Sequence, residues 1–331
     1  MRASLLLILA TAAFAAPPAY KVITKIKVGG GTRWDYCYLD SANHRLYVSH
    51  GTQTEVIDTS SDKLIGTIPG TNGVHGIAIA GDLGKGFTSD GGDNDVTVFD
   101  LKTLQVLSKV KTGQNPDSII YEPVTHRVFT LNGRSKDSTA IDAKTGEVIT
   151  ASIPVGGKPE FAQVDGKGHV YANIEDKNEI IEIDAKNALV AKRYSIAPCD
   201  SPSGLAIDPK ARLYSVCENH MMVISDPAAG RVLATPAIGG GPDGVAFDDG
   251  YAFSANGQDG TITMVGESGG KFDVVATIQT QRGARTIASD QKAHKLYLPA
   301  AEYGPPAESK DGKKGRPQPV PDSFQIVVVG R

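Results

Sequence analysis

Asp58, Asp100, Asp142, Asp184 and Asp226 stand 42 residues apart, and each closes a short β-branched run and opens a polar turn. The runs are one strand rewritten: Glu55-Val56-Ile57-Asp58, Val96-Thr97-Val98-Phe99-Asp100, Ile180-Ile181-Glu182-Ile183-Asp184 and Met222-Val223-Ile224-Ser225-Asp226. A period of about 40 to 50 residues built from short strands predicts an all-β fold of the β-propeller type, one blade per repeat. An aspartate at the first position of a turn accepts hydrogen bonds from backbone amides two residues on, so these residues read as structural.

A second column counts the blades. Trp34-Asp35, Val74-His75, Pro116-Asp117, Pro159-Glu160, Pro202-Ser203, Pro242-Asp243 and Ala284-Arg285 recur with steps of 40 to 43 residues and predict seven blades. Small or apolar runs follow them, such as Gly76-Ile77-Ala78-Ile79 and Gly244-Val245-Ala246-Phe247, which suit an innermost strand crowded around a channel. A third column holds an aromatic on the second strand of every repeat: Tyr47, Phe87, Phe129, Tyr171, Tyr214, Phe253 and Tyr297. Period-2 alternation sends these rings to one face, where they fill the space between neighbouring blades. The last repeat lacks an outer strand, and Tyr20 to Gly29 matches the outer strands elsewhere. Seven four-stranded blades, closed by the N-terminal strand completing the last one, remove both exposed edges. Between the second and third strands of that blade, residues 302–321 are rich in Pro, Gly and Lys and read as a long inserted loop, with a lid as its functional reading.

Composition narrows the class. Residues 1–15, with Arg2 before the apolar stretch Leu5 to Phe14, read as a cleavable signal peptide, leaving 16–331 as one propeller domain in the periplasm or outside the cell. No second long apolar run follows, so no membrane span is expected. A formal charge of −3 disfavours nucleic acid as a partner. The chain is expected to be a monomer. Of three cysteines, Cys199 and Cys217 fall at the same corner of the fifth repeat and are expected to pair, the alternatives being buried thiols or soft metal ligands beside Glu218 and His220. Cys37 reads as a small core residue, and no C-x-x-C-H or C-x-x-C motif offers a haem or zinc site.

Tyr47-Val48-Ser49-His50, Phe129-Thr130-Leu131-Asn132 and Phe253-Ser254-Ala255-Asn256 resemble the Y-V-T-N tetrapeptide of the YVTN-type seven-bladed propeller repeat family. The resemblance extends over residues 16–331. It implies an exported propeller, of the surface-layer or periplasmic kind, and carries no general catalytic motif. The fourth position of the tetrapeptide varies, with His50, Asp90, Ile174, Cys217 and Ala300 where the pattern has Asn.

Inner strands begin, and second strands end, on the same face of a propeller, so these two columns read as rings around one mouth. The resulting candidate ligand-binding residues are Asp35, His50, His75, Asp90, Asp117, Asn132, Glu160, Glu175, Asp243, Asn256 and Arg285. Four carboxylates on the inner ring favour a cation. Oxygen and imidazole donors from Asp35, His50, His75, Asp90 and Asp117 form a candidate site for Ca²⁺, Mg²⁺, Mn²⁺ or Zn²⁺. The structural alternative is a water-filled polar channel in which Arg285 pairs with Asp35 or Asp243. Two functions follow: a binding module for a small molecule or a protein partner at the mouth, and a divalent-metal-dependent lyase or lactone hydrolase with His75 or Glu160 as proton acceptor. A nucleophile elbow, a P-loop and paired metalloprotease histidines are all missing from the sequence.

Overall fold

The computed structural model describes residues 17–308 and 314–331, and the signal peptide read over 1–15 lies outside them. It is a seven-bladed β-propeller of four-stranded antiparallel sheets. Blade 1 runs Cys37–Asp40, Arg45–His50, Gln53–Asp58 and Lys63–Pro69, from the channel outward. The inner strands of blades 2 to 6 are Val74–Ala80, Pro116–Glu122, Pro159–Val164, Pro202–Ile207 and Pro242–Asp248. Blade 7 is composite: Ala288–Asp290, Lys295–Ala300 and Gln325–Gly330 come from the C-terminal part, and Lys21–Lys27 adds the outer strand with Ile26 opposite Ile326.

The 42-residue aspartates hold the turns between third and outer strands. Asp142 Oδ1 accepts the amides of Lys144 and Thr145, each at 2.8 Å, and Asp184 Oδ1 accepts those of Lys186 and Asn187, each at 2.9 Å. Apolar burial is divided among seven clusters, one for each pair of neighbouring blades. The second-strand aromatic of each blade reaches toward the next: Phe129 packs on Val170 of blade 4, Tyr171 on Leu205 of blade 5, and Tyr297 on Leu46 of blade 1. Tyr20 and Ile26 of the N-terminal segment join the clusters on the two sides of blade 7.

The insertion at 302–321 departs from the expected structureless loop. Tyr303–Glu308 and Lys314–Pro319 pair as an antiparallel ribbon with Tyr303 opposite Pro319. Its neck is closed by Val320 N donating to Glu302 O at 2.7 Å and Glu302 N donating to Ser323 Oγ at 3.0 Å. A two-stranded ribbon has two edges, and a proline is tolerated wherever its nitrogen faces outward.

Candidate functional site

The inner-ring residues converge at the mouth and neutralise one another across blades. Arg285 Nε donates to Asp243 Oδ2 at 2.7 Å, its Nη2 donates to the Trp34 carbonyl at 2.8 Å, and Nη2 lies 3.6 Å from Asp35 Oδ1. His75 Nδ1 bonds Asp35 Oδ2 at 2.6 Å and lies 3.2 Å from Asp117 Oδ1. Lys158 is paired with Glu160 at 2.7 Å and also with Glu175. Around five consecutive blades the order is therefore carboxylate, guanidinium, carboxylate, imidazole, carboxylate. Arg285, His75 and Lys158 thus supply countercharges to the ring's carboxylates from within.

These contacts set the titration of the ring. Burial disfavours the His75 cation, but the Asp35 hydrogen bond and the charges of Asp117, Asp35 and Glu160 outweigh it and raise its pKa. Burial raises the Asp117 carboxyl, opposed by His75. Burial and then the charge of Asp117 raise Glu160 against the pull of Lys158, while Asp243 is raised by burial against Arg285.

The second ring is displaced by one residue from the sequence reading. The side chains of His50, Asp90, Asn132 and Asn256 are buried inside the blades and do not face the mouth. Asn132 Nδ2 donates to Asp137 Oδ1 at 2.9 Å and Thr139 Oγ1 at 3.1 Å, and Asn256 Nδ2 donates to Thr263 Oγ1 at 2.8 Å. Asp90 takes the hydroxyls of Thr88 and Thr97, and burial against those hydroxyls and Lys109 pushes it up to about 7. This column ties the second strand to the third. The residue one step later faces the mouth, because successive side chains on a strand point to opposite faces. That column reads Gly51, Gly91, Gly133, Glu175, Glu218, Gly257 and Ala301. A Cβ on Gly91 would lie 2.7 Å from His75 Nε2, and one on Gly257 would lie 2.6 Å from Arg285 Cβ, so the column stands directly over the inner ring. Glu175 and Glu218 replace its small residues in blades 4 and 5.

His50 is the variant of the buried column in blade 1. Its Nδ1 lies 3.0 Å from Glu55 Oε1, its Nε2 lies 2.7 Å from the Gly31 carbonyl, and its ring stacks on Phe324 at 4.2 Å. It therefore fastens blade 1 to the chain entering it and to blade 7. Burial would lower the His50 pKa, yet the Glu55 hydrogen bond and the Gly31 carbonyl raise it; burial would raise Glu55, and bonds from His50, Gln53 and Thr67 lower it. A raised histidine contributes stability fully below its unfolded value, about 6.5, and loses it as pH rises through the folded value. A lowered glutamate contributes above its unfolded value, about 4.3, and loses it as pH falls further. The clasp is thus strongest near pH 5 to 6, roughly between those unfolded values. The gap in melting temperature between wild type and His50→Ala is expected to be wider at pH 5.5 than at pH 8.5. Equal gaps at the two pH values would contradict the charged clasp.

The mouth is a cup with a floor. Tyr36 of blade 1 and Phe161 of blade 4 meet with ring centroids 4.5 Å apart, and because these blades are not neighbours the contact crosses the channel. Tyr36 is buried, and burial followed by the charges of Asp243, Asp35, Glu160 and Asp117 holds its phenol well above the usual range. Above this floor lie two lobes that share Arg285 and Tyr303. One, of ≈ 710 Å³, includes Glu175, Ser203, Glu218, Asp243 and Arg282, and the other, of ≈ 600 Å³, includes Arg33, Asp35, His75, Asn115 and Arg134. Tyr303 belongs to the ribbon, which thereby overhangs the mouth. A disulfide joins Cys199 to Cys217, with Cα atoms 5.5 Å apart, beside the larger lobe, while Cys37 is free.

Of the five expected metal donors, the structure assembles three. One ligand atom each from Asp35, His75 and Asp117 lie within 4.8 Å of one another, whereas His50 and Asp90 are turned into the blades. Sequence reading missed Tyr36, Phe161, Lys158 and the rim arginines. The glycine column at 51, 91, 133 and 257, interrupted by Glu175 and Glu218, was the signal available for the true second ring.

The fold and mouth define the class, a seven-bladed propeller with an aromatic pair meeting across its channel and a polar mouth. No family model matches the chain, and no curated protein matches it. Among solved structures the chain is similar to Kuenenia stuttgartiensis hydrazine synthase, with a TM-score of 0.70 and 16% identity over 83% of this chain and 94% of that one. It is also similar to U3-55K, with a TM-score of 0.77 and 8% identity over 94% of this chain and 98% of that one. At these identities the likeness is one of fold. No helix among the described residues is long and apolar enough to cross a membrane.

Proposed function

We propose that the chain is an exported propeller of the YVTN-repeat type that binds a small polar molecule in the cup at its channel mouth. The observation that carries this reading is the two-lobed cavity meeting at Arg285 and Tyr303, at the mouth of a channel crossed by the Tyr36–Phe161 pair. A channel that served only to hold water would need no aromatic pair across it. Lobes of ≈ 710 and ≈ 600 Å³ are within the size range of small-molecule sites, and their walls combine strand ends such as His75, Ser203 and Asp243 with the loops between strands. The Cys199–Cys217 disulfide supports export, since such bonds persist in oxidising compartments. In the Y-V-T-N tetrapeptides of blades 3 and 6, the aromatic packs between blades and the Asn ties the second strand to the third.

A divalent ion is the second reading, favoured by the Asp35, His75 and Asp117 donors. Two carboxylates and an imidazole suit Ca²⁺, Mg²⁺, Mn²⁺ or Zn²⁺. Bound there, the ion would supply the Lewis acid of a lyase or lactone hydrolase. Glu160, on the inner strand after that of Asp117 and paired with Lys158, would then be the proton acceptor.

Both readings are tested by one thermal-shift screen of the chain against small metabolites and the four metal chlorides. Organic hits are expected to bind at least tenfold more weakly to Tyr303→Ala and to Arg285→Lys, and a metal hit to disappear in Asp117→Asn. A screen without hits, or hits indifferent to all three substitutions, would overturn the mouth as the site.

A further inference from the structure

We infer that the lobe between blades 1 and 3 is the anion-binding half of the mouth, in which Arg33, Arg134 and Asn115 hold the carboxylate or phosphate of a small acidic ligand. This rests on the mouth being the binding site and adds the class of ligand. The two lobes differ in sign. Glu175, Glu218 and Asp243 outnumber Arg282 and Arg285 on the larger one, whereas on the smaller Arg33, Arg134 and Arg285 face Asp35, the one acid there among the described residues, and it is already engaged by His75.

Arginine pairing bears on the same place. Most described arginines hold a carboxylate or a carbonyl, as Arg212 does with Asp208 and Glu267 and Arg127 with the Ala185 carbonyl. Among the described residues, the guanidinium groups of Arg33, Arg134, Arg231 and Arg282 have neither a hydrogen-bond nor an ion-pair partner; two of the four, Arg33 and Arg134, line the smaller lobe, and Arg282 lines the larger one beside its carboxylates. The Asn115 side chain is likewise without a hydrogen bond to any described residue, and its backbone amide is pinned by Asn94 Oδ1 at 2.8 Å. Two free guanidinium forks and a side-chain amide facing one cavity form a donor-rich wall. That wall suits a carboxylate or phosphate, which guanidinium groups bind through paired N–H···O bonds. The acidic lobe across Arg285 then receives the hydroxyl groups of the same ligand, so an acidic sugar fits the polarity of the cup.

The test is calorimetric titration of the full chain with galacturonate, glucose 6-phosphate and neutral glucose, using wild type and the double variant Arg33→Gln/Arg134→Gln. At least one acidic sugar is expected to bind at least tenfold more tightly than glucose, and to lose at least tenfold in the double variant. The stronger of the two anions identifies carboxylate or phosphate. Both guanidinium groups are exposed and, among the described residues, without a partner, so the ligand-free double variant is expected to melt with wild type. Anion binding unchanged in the double variant, or absent in wild type, overturns the inference. If other compounds still bind through Tyr303 and Arg285 in that case, the mouth reading stands; if nothing binds, both fall.

Discussion

A chain lacking residues 17–28 is expected to fail as a monomeric propeller and to appear as aggregate or expanded species in size-exclusion chromatography with light scattering. The deletion removes the outer strand of blade 7, which pairs along Gln325–Gly330 from Lys21 to Lys27. The exposed edge would be Ile326-Val327-Val328-Val329, a β-branched run with no charge, which is the composition that recruits other chains. Tyr20 and Ile26 would be lost with it. The Tyr20 ring lies 5.0 Å from Phe253 and its hydroxyl donates to Asp248 at 3.1 Å, and Ile26 is buried between blades 7 and 1. Each such burial contributes about 1.5–3 kcal/mol. Together with the strand pairing, the loss approaches the whole stability of an ordinary domain, about 5–15 kcal/mol. Addition of a peptide spanning 17–28 is expected to restore the compact species. A soluble truncated monomer with the wild-type melting temperature would contradict closure through this strand.

The second large effect is expected at the disulfide. Cys199→Ala/Cys217→Ala should cost about 3 kcal/mol in urea unfolding, the value for opening a loop of this length in the unfolded chain. The two residues are 18 apart and both are buried, in an apolar cluster with Tyr171, Leu205 and Val223. Alanine leaves no hydroxyl unsatisfied in that cluster, so the loss reports the cross-link and a small change in packing. The bond also fixes the loop before the inner strand of blade 5 against the end of its second strand, next to Ser201, Ser203 and Glu218 of the larger lobe. Weaker ligand binding should therefore accompany the loss of stability. A cost below about 1 kcal/mol would show that the cluster alone holds this corner, since a cross-link typically contributes more.

The ring was legible in the sequence because each blade repeats the same demands. An aromatic must fill every gap between blades, an aspartate must hold each outer turn, and small residues must crowd the channel, so columns form that a fixed period exposes. The mouth was legible only where it shares that period. Asp35, His75, Asp117, Glu160, Asp243 and Arg285 were found because inner strands begin at one height. His50, Asp90, Asn132 and Asn256 were misassigned by one residue, and on a strand one residue exchanges the two faces. The Tyr36–Phe161 contact left no periodic trace, because it joins blades across the channel and occurs once. Countercharge by Lys158, the ribbon over the mouth and the free Arg33 and Arg134 likewise depend on where loops meet in space.

Hydrogen–deuterium exchange of the chain, with and without the strongest ligand from the thermal-shift screen, tests the binding cup most directly. Protection is predicted in the segments that wall it, 32–35, 72–75, 115–117, 201–203, 241–243 and 282–285, and at Tyr303 on the ribbon. Protection confined to the outer strands or to the opposite end of the channel would contradict the account.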